Sequence, residues 1–161
     1  LCRVAVHNET SPALVELFPI PKGEAASSGF AECDALTGVL SRRSIEEQTA
    51  AWFHSRVERP FAMAFLDLDG FKAVNDRLGH LIGDTCLREV GQRLGHTVRG
   101  ADVVGRFGGD EFVLLLAGIT CEKEFALCCR RLIAAIEQPI ETPAGPVQLG
   151  ASLGAAFSDG D

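Results

Sequence analysis

The sequence has no apolar run approaching the ~20 residues that a membrane-crossing helix requires. The segment beginning at Leu1 also lacks the charged-then-apolar pattern of a secretory signal. These absences predict a cytoplasmic domain with no membrane contact from this fragment. A start on Leu rather than Met suggests a piece of a longer chain, whose parent could be membrane-anchored. Basic charge is scarce: 15 Lys and Arg against 22 Asp and Glu leave a net charge of -7. That balance argues against a surface that tracks nucleic-acid phosphates. It leaves nucleotides open, because carboxylates reach phosphates through divalent metals. The six cysteines (Cys2, Cys33, Cys86, Cys121, Cys128 and Cys129) form no CxxC pair, which argues against zinc and predicts reduced, buried thiols. No internal repeat, low-complexity tract or heptad pattern before Asp34 is present.

What is present suits one globular domain: 161 residues, 47% hydrophobic and 23% charged. Residues 1–30 mix short β-like runs with Pro, Gly and Ser, and read as an N-terminal extension or a linker from an upstream domain. From Ser41 a capped helix is predicted, with Glu46 and Glu47 early and Arg56 and Arg59 late, as the helix dipole favours. FAMAFLDLD, Phe61 to Asp69, reads as a buried strand ending in acid. FKAVNDRLGH reads as a short helix closed by Gly79. A further helix is predicted over Thr85–Val98, then strand DVVGRF, turn GGDE and strand FVLLLAG. A helix over 121–137 and a strand in VQLGASLGAAF complete the pattern. The expected fold is α/β (α+β), a mixed β-sheet flanked by helices.

Two acidic stretches carry the chemistry. Asp67 and Asp69 are two apart, so on a continuing strand they share a face where a cation could be held. A plain Asp-Gly turn is the alternative, and an EF-hand is a weaker rival whose later ligand spacing fails. In GGDE, Gly108 and Gly109 can take positive φ and admit a ligand closely, leaving Asp110 and Glu111 at the tip. A solvated acidic turn would look the same. Two acidic strand ends in one small domain nevertheless invite a two-metal phosphoryl-transfer site.

Four separated motifs then resemble one family. RFGGDEF, from Arg106 to Phe112, looks like the signature of the GGDEF domain family, the diguanylate cyclases. DALTGVLSRR, Asp34 to Arg43, resembles the family's DxLTGLxNRR, with Ser41 where Asn is usual. DLDGFKAVNDRLGHLIGD, Asp67 to Asp84, is similar to DxDxFKxxNDxxGHxxGD. RGAD ahead of the turn fits RxxD, and Ser152 to Ala156 fits SxGxA.

The resemblance implies a palm-like fold, as in nucleotide cyclases and polymerases, with the GGDEF hairpin at the active site. It implies condensation of two GTP into cyclic di-GMP and two pyrophosphates by an antiparallel homodimer. Asp67, the main-chain carbonyl of Leu68 and Asp110 would bind Mg²⁺ or Mn²⁺. Glu111 would ligate or assist deprotonation of the 3′-hydroxyl. Asn75 and Asp84 would read guanine, and Gly70, Phe71 and Lys72 would hold the distal phosphates. Gly108 and Gly109 would leave room for substrate. Arg99 and Asp102 would form an inhibitory site for cyclic di-GMP; without the family context they read as a helix-exit ion pair. Arg106, His80 and His96 read as structural. The family pattern continues past SxGxA into a helix with Lys and Arg, so residues 31–161 read as a GGDEF domain that is C-terminally incomplete. The alternative function is an inactive module that binds GTP or cyclic di-GMP.

Overall fold

The structure, a computed structural model, describes residues 31–55 and 60–158, together with the backbone of 3–6. Its elements are β1 (Arg3–Val6), α1 (Arg42–His54), β2 (Phe61–Asp69), α2 (Phe71–Leu78), α3 (His80–Thr97), β3 (Val103–Gly108), β4 (Glu111–Ala117), α4 (Glu122–Ile136) and β5 (Gly150–Phe157). The strands form one sheet in the order β1-β5-β2-β4-β3.

The α+β class and the flanking helices are as the sequence predicts. The mixed sheet needs correction: every ladder among the described residues is antiparallel. The one parallel pairing among the described residues is the isolated bridge between Leu40 and Gly105. Of residues 1–30, Arg3–Val6 pair with β5; the remainder of that expected extension lies outside the described residues.

Period-two alternation in β2 decides what faces where. Ala62, Ala64, Leu66 and Leu68 point into the larger core, against α3 and α4 residues such as Val90, Leu94, Phe125 and Leu132. Phe61, Met63 and Phe65 point to the other face, where Ile45, Trp52 and Phe53 of α1 cover it. Asp67 and Asp69 continue that second row past the cover of α1 and are exposed. In β4 both faces are covered, so Phe112 to Leu116 form an unbroken buried run. Each fully buried Leu or Phe contributes roughly 1.5–3 kcal/mol. This core therefore fixes the strand ends that carry the acids.

Two helices differ from expectation. In α1 the Ser41 hydroxyl accepts from the Ser44 amide, the expected cap. Its first turn, however, carries Arg42 and Arg43, paired with Glu46 and Glu47 at 3.0 Å each, while Arg56 and Arg59 lie outside the described residues. Those exposed pairs run base-then-acid, the weaker order on a helix. α3 begins at His80 rather than Thr85, so His80 opens this helix. The cause is Gly79, whose positive φ of 86° closes α2 and redirects the chain at once. Gly83 then lies inside α3 because a side chain there would collide with Asn75 of α2.

All the described cysteines are free. Cys86 and Cys129 are buried, Cys128 is half-buried, and Cys33 and Cys121 are exposed, which corrects the expectation of a uniformly buried set. Burial raises the Cys86, Cys128 and Cys129 thiols, the last to about 12. No helix among the described residues is long and apolar enough to cross a membrane.

Candidate active site

The antiparallel register of β2 and β4 sets Asp67 directly opposite Glu111. Between β3 and β4 the chain reverses at Gly109 and Asp110, with Gly108 paired to Glu111 and an irregularity between Arg106 and Gly108. Positive φ falls on Gly109, at 51°, and not on Gly108. A side chain built on either glycine would meet nothing within 4 Å, so the space beside the turn is open to a ligand. Asp110 is half-buried and Glu111 exposed.

The acids on this rim repel one another. Partial burial first, and then the charges of Asp110, Glu111 and Asp69, push the Asp67 carboxyl up from 3.8 to about 6. Asp69 shares the face but is engaged with β5: the Ser152 hydroxyl donates to its two oxygens at 3.0 and 3.1 Å. Sequence reasoning missed this link, although both residues lie inside recognised motifs. Leu68 buries its side chain in the core and leaves only its main chain at the rim.

Beyond Asp69 the chain turns through Gly70, with φ 82°, directly into α2. No side chain caps this helix, so its first amides are left for an external acceptor. Phe71 is buried beneath it and Lys72 is exposed. On the inner side of α2, Asn75 Oδ1 is buried without a hydrogen-bond partner. An orphaned amide oxygen is costly unless a ligand completes it. Asp84 is half-buried, one residue after Gly83.

The remaining expected pair lies elsewhere. Arg99 and Asp102 sit between α3 and β3, at the far end of the hairpin from the GGDE turn, about 20 Å away along β4. They do not form the side-chain ion pair that the plain reading expects. Asp102 instead accepts the Arg99 amide at 2.8 Å and the Ala117 amide at 2.9 Å, while Arg99 stays exposed. Close by, a cleft of about 540 Å³ is lined by Trp52, Gln48, Ala101 and Gly118, among others.

A hard divalent cation suits the rim by donor chemistry, since carboxylate and carbonyl oxygens are what such ions prefer. The mutual repulsion at Asp67 is also what a cation relieves. Among the described residues, no three His, Cys, Asp or Glu side chains gather closely enough to enclose a metal. The expected set needs only two side-chain carboxylates and a main-chain carbonyl, so the fit stands.

The fold that carries this arrangement is shared with known proteins. The family described as "Diguanylate cyclase, GGDEF domain" matches residues 31–161. The chain is 38% identical over 130 residues to the bifunctional diguanylate cyclase/cyclic di-GMP phosphodiesterase MucR of Pseudomonas aeruginosa, covering 80% of this chain and 19% of that protein. It is 40% identical over 105 residues to the diguanylate cyclase DgcP of Escherichia coli, covering 64% of this chain and 30% of that one. The solved GGDEF domain of TpbB, or YfiN, from Pseudomonas aeruginosa superposes with a TM-score of 0.73 at 33% identity, covering 78% of this chain and 75% of that one. The chain belongs to the GGDEF domain family, and its sheet and helices have the palm-like fold of that family. It spans less than a third of the length of either curated relative named.

Proposed function

We propose that this domain is a diguanylate cyclase, joining two GTP molecules into cyclic di-GMP with release of two pyrophosphates. The observation that carries the reading is the β2–β4 register, which brings Asp67, Asp110 and Glu111 to one rim beside the open N-terminus of α2. Asp67 and Asp110, with the carbonyl of Leu68, are the groups that would hold Mg²⁺ or Mn²⁺. When bound, such a cation lowers the pKa of the attacking hydroxyl and offsets charge on the leaving pyrophosphate. Glu111, on the same rim, is placed to take the 3′-hydroxyl proton. The 3′-oxygen then bonds to the α-phosphorus of the second GTP as the bond to pyrophosphate breaks, and the exchange happens twice per product.

The amides of Gly70, Phe71 and Lys72, with the Lys72 ammonium, hold the β- and γ-phosphates. The partnerless Oδ1 of Asn75 and the carboxylate of Asp84 pair with the guanine edge, and adenine would leave them unsatisfied. Gly108 and Gly109 keep the approach clear. Each domain holds one GTP, so two must face each other as an antiparallel homodimer. At the far end of the hairpin, exposed Arg99 and half-buried Asp102 bind cyclic di-GMP as feedback inhibitor: Arg stacks on or donates to guanine, and Asp102 accepts through remaining lone pairs.

The test is incubation with GTP and Mg²⁺ at concentrations where the protein is dimeric, followed by product chromatography. Cyclic di-GMP is expected. Binding of GTP or cyclic di-GMP without any product would replace the cyclase with a non-catalytic binding module.

A further inference from the structure

Arg106 lies in edge strand β3, ahead of the two glycines, and its guanidinium is divided between two tasks. Nε and Nη2 donate to the carbonyl of Gly109 at 3.0 and 2.7 Å. Nη1 donates to Asp34 Oδ1 at 3.2 Å and lies 3.5 Å from Oδ2. Asp34 Oδ1 also accepts from the Thr37 amide at 2.9 Å and the Thr37 hydroxyl at 2.6 Å.

The main chain runs in parallel with this clamp. Leu40 donates to the Val104 carbonyl at 3.0 Å, and Arg106 donates to the Leu40 carbonyl at 2.9 Å. Segment 34–40 therefore straps the outer edge of β3. The strap is seated on α3, where a Cβ at Gly91 would come within 2.9 Å of Thr37. The far end of the same guanidinium grips the carbonyl immediately before Asp110. No side-chain packing at Gly108 or Gly109 steadies the turn, since a Cβ on either meets nothing within 4 Å.

We propose that Arg106 is a positioning residue, through which the chain entering at Asp34 fixes the Gly109 carbonyl and hence the place of the Asp110 carboxylate. Seventy-two positions separate the two clamped residues. A displacement of the entry segment thus reaches the Gly109 carbonyl through this planar group, beside the main-chain bonds that tie Leu40 to β3. Only a guanidinium can do this: its fork bridges two acceptors at fixed angles, whereas an ammonium is a point charge on a flexible stem. The functional consequence rests on the catalytic reading of the acid rim.

The experiment compares wild type, Arg106→Lys, Asp34→Asn and the double variant. Hydrogen–deuterium exchange is followed in a peptide spanning residues 107–112 and in a β2 peptide as internal control. Arg106→Lys keeps the charge, and Asp34→Asn keeps an acceptor for Thr37, so both variants retain means to fold. The turn is expected to exchange roughly tenfold faster in each single variant, and the double variant little faster than the worse single, as for residues sharing one network. In parallel, kcat is expected to fall with the GTP KM held within about twofold, the mark of a loss confined to the transition state. Unchanged exchange at the turn, or acceleration spread equally into β2, would overturn the proposal. So would a normal kcat in Arg106→Lys. A wild-type protein that makes no cyclic di-GMP would refute the catalytic reading, while the exchange data would still decide whether the clamp holds the turn.

Discussion

The two ends of the β3–β4 hairpin treat their carboxylates in opposite ways. At one end Asp102 gives one oxygen to the Arg99 amide and the other to the Ala117 amide. At the other, Asp67 faces Glu111 across the ladder, with Asp110 and Asp69 near enough to raise its pKa to about 6. One end spends its acid on holding backbone; the other gathers acids of which, among the described residues, only Asp69 accepts a hydrogen bond, from the Ser152 hydroxyl. Charges left unsatisfied together, at a rim fixed by a well-packed core, are poised for something the chain itself does not supply. Asp34 sharpens the contrast. Partial burial alone would raise its pKa, but hydrogen bonds from Thr37 and Arg106 outweigh that and hold it below 3.8.

The sharpest way to break this comparison is to remove one acid from each end. Asp110→Ala should cut turnover by about 10²–10³-fold or more, the scale of losing a positioned electrostatic group. Thermal unfolding should show stability unchanged or raised, because a like-charge neighbour has gone. Asp102→Ala should do the reverse to the fold, costing about 1–3 kcal/mol in urea titrations, because two backbone amides lose their acceptor. If both substitutions destabilise equally, the division of labour between the two ends is wrong.

The next effect is regulatory. Arg99→Ala should raise the cyclic di-GMP concentration for half-inhibition roughly tenfold, the loss of one charge-assisted contact worth ~1.4 kcal/mol. Inhibition curves measured relative to each variant's own uninhibited rate would check this, and an unchanged midpoint would remove Arg99 from the inhibitory site.

The smallest effect is in pH. Asp67 has a folded pKa raised above its unfolded value, so its ionisation opposes folding: its contribution to stability falls as pH rises from about 4 to about 6. A divalent cation favours the ionised form, so Mg²⁺ with a GTP analogue should raise Tm at pH 7.5 and do so less below pH 6. Asp34 behaves oppositely. Its pKa is lowered, so its stabilisation is present above the ordinary value and is lost as pH falls through the folded one. Acid unfolding of Asp34→Asn should therefore be the less steep below about pH 4.

Much of this contrast could be read from the residues. FAMAFLDLD announces a buried strand with two acids on one face, because hydrophobic alternation and its sudden end are local signals. GGDE announces its turn, and α4 its apolar stripe. The start of α3 was hidden because Gly79 reads as a helix end and a second glycine, Gly83, follows it closely. In the fold, Gly79 redirects the chain and Gly83 makes room for Asn75. Nor does local pattern reveal that Asp102 caps Ala117, that Ser152 holds Asp69, or that Arg106 reaches Asp34. Those partners meet only once the strands pair, and nothing in the spacing of a lone Arg or Asp says which acceptor or donor the fold will bring to it. The motifs marked most of the residues that matter; the geometry divides them into those that hold the backbone and those left free.

The most direct test of that division is a carbon-detected NMR titration of the Asp67 side-chain carboxyl, with and without Mg²⁺ and a non-hydrolysable GTP analogue. The expected result is a midpoint near 6 in the unliganded protein, driven well below the ordinary carboxylate value when cation and nucleotide are added. An ordinary midpoint that the additions leave in place would contradict the assignment of this rim as the catalytic cation site.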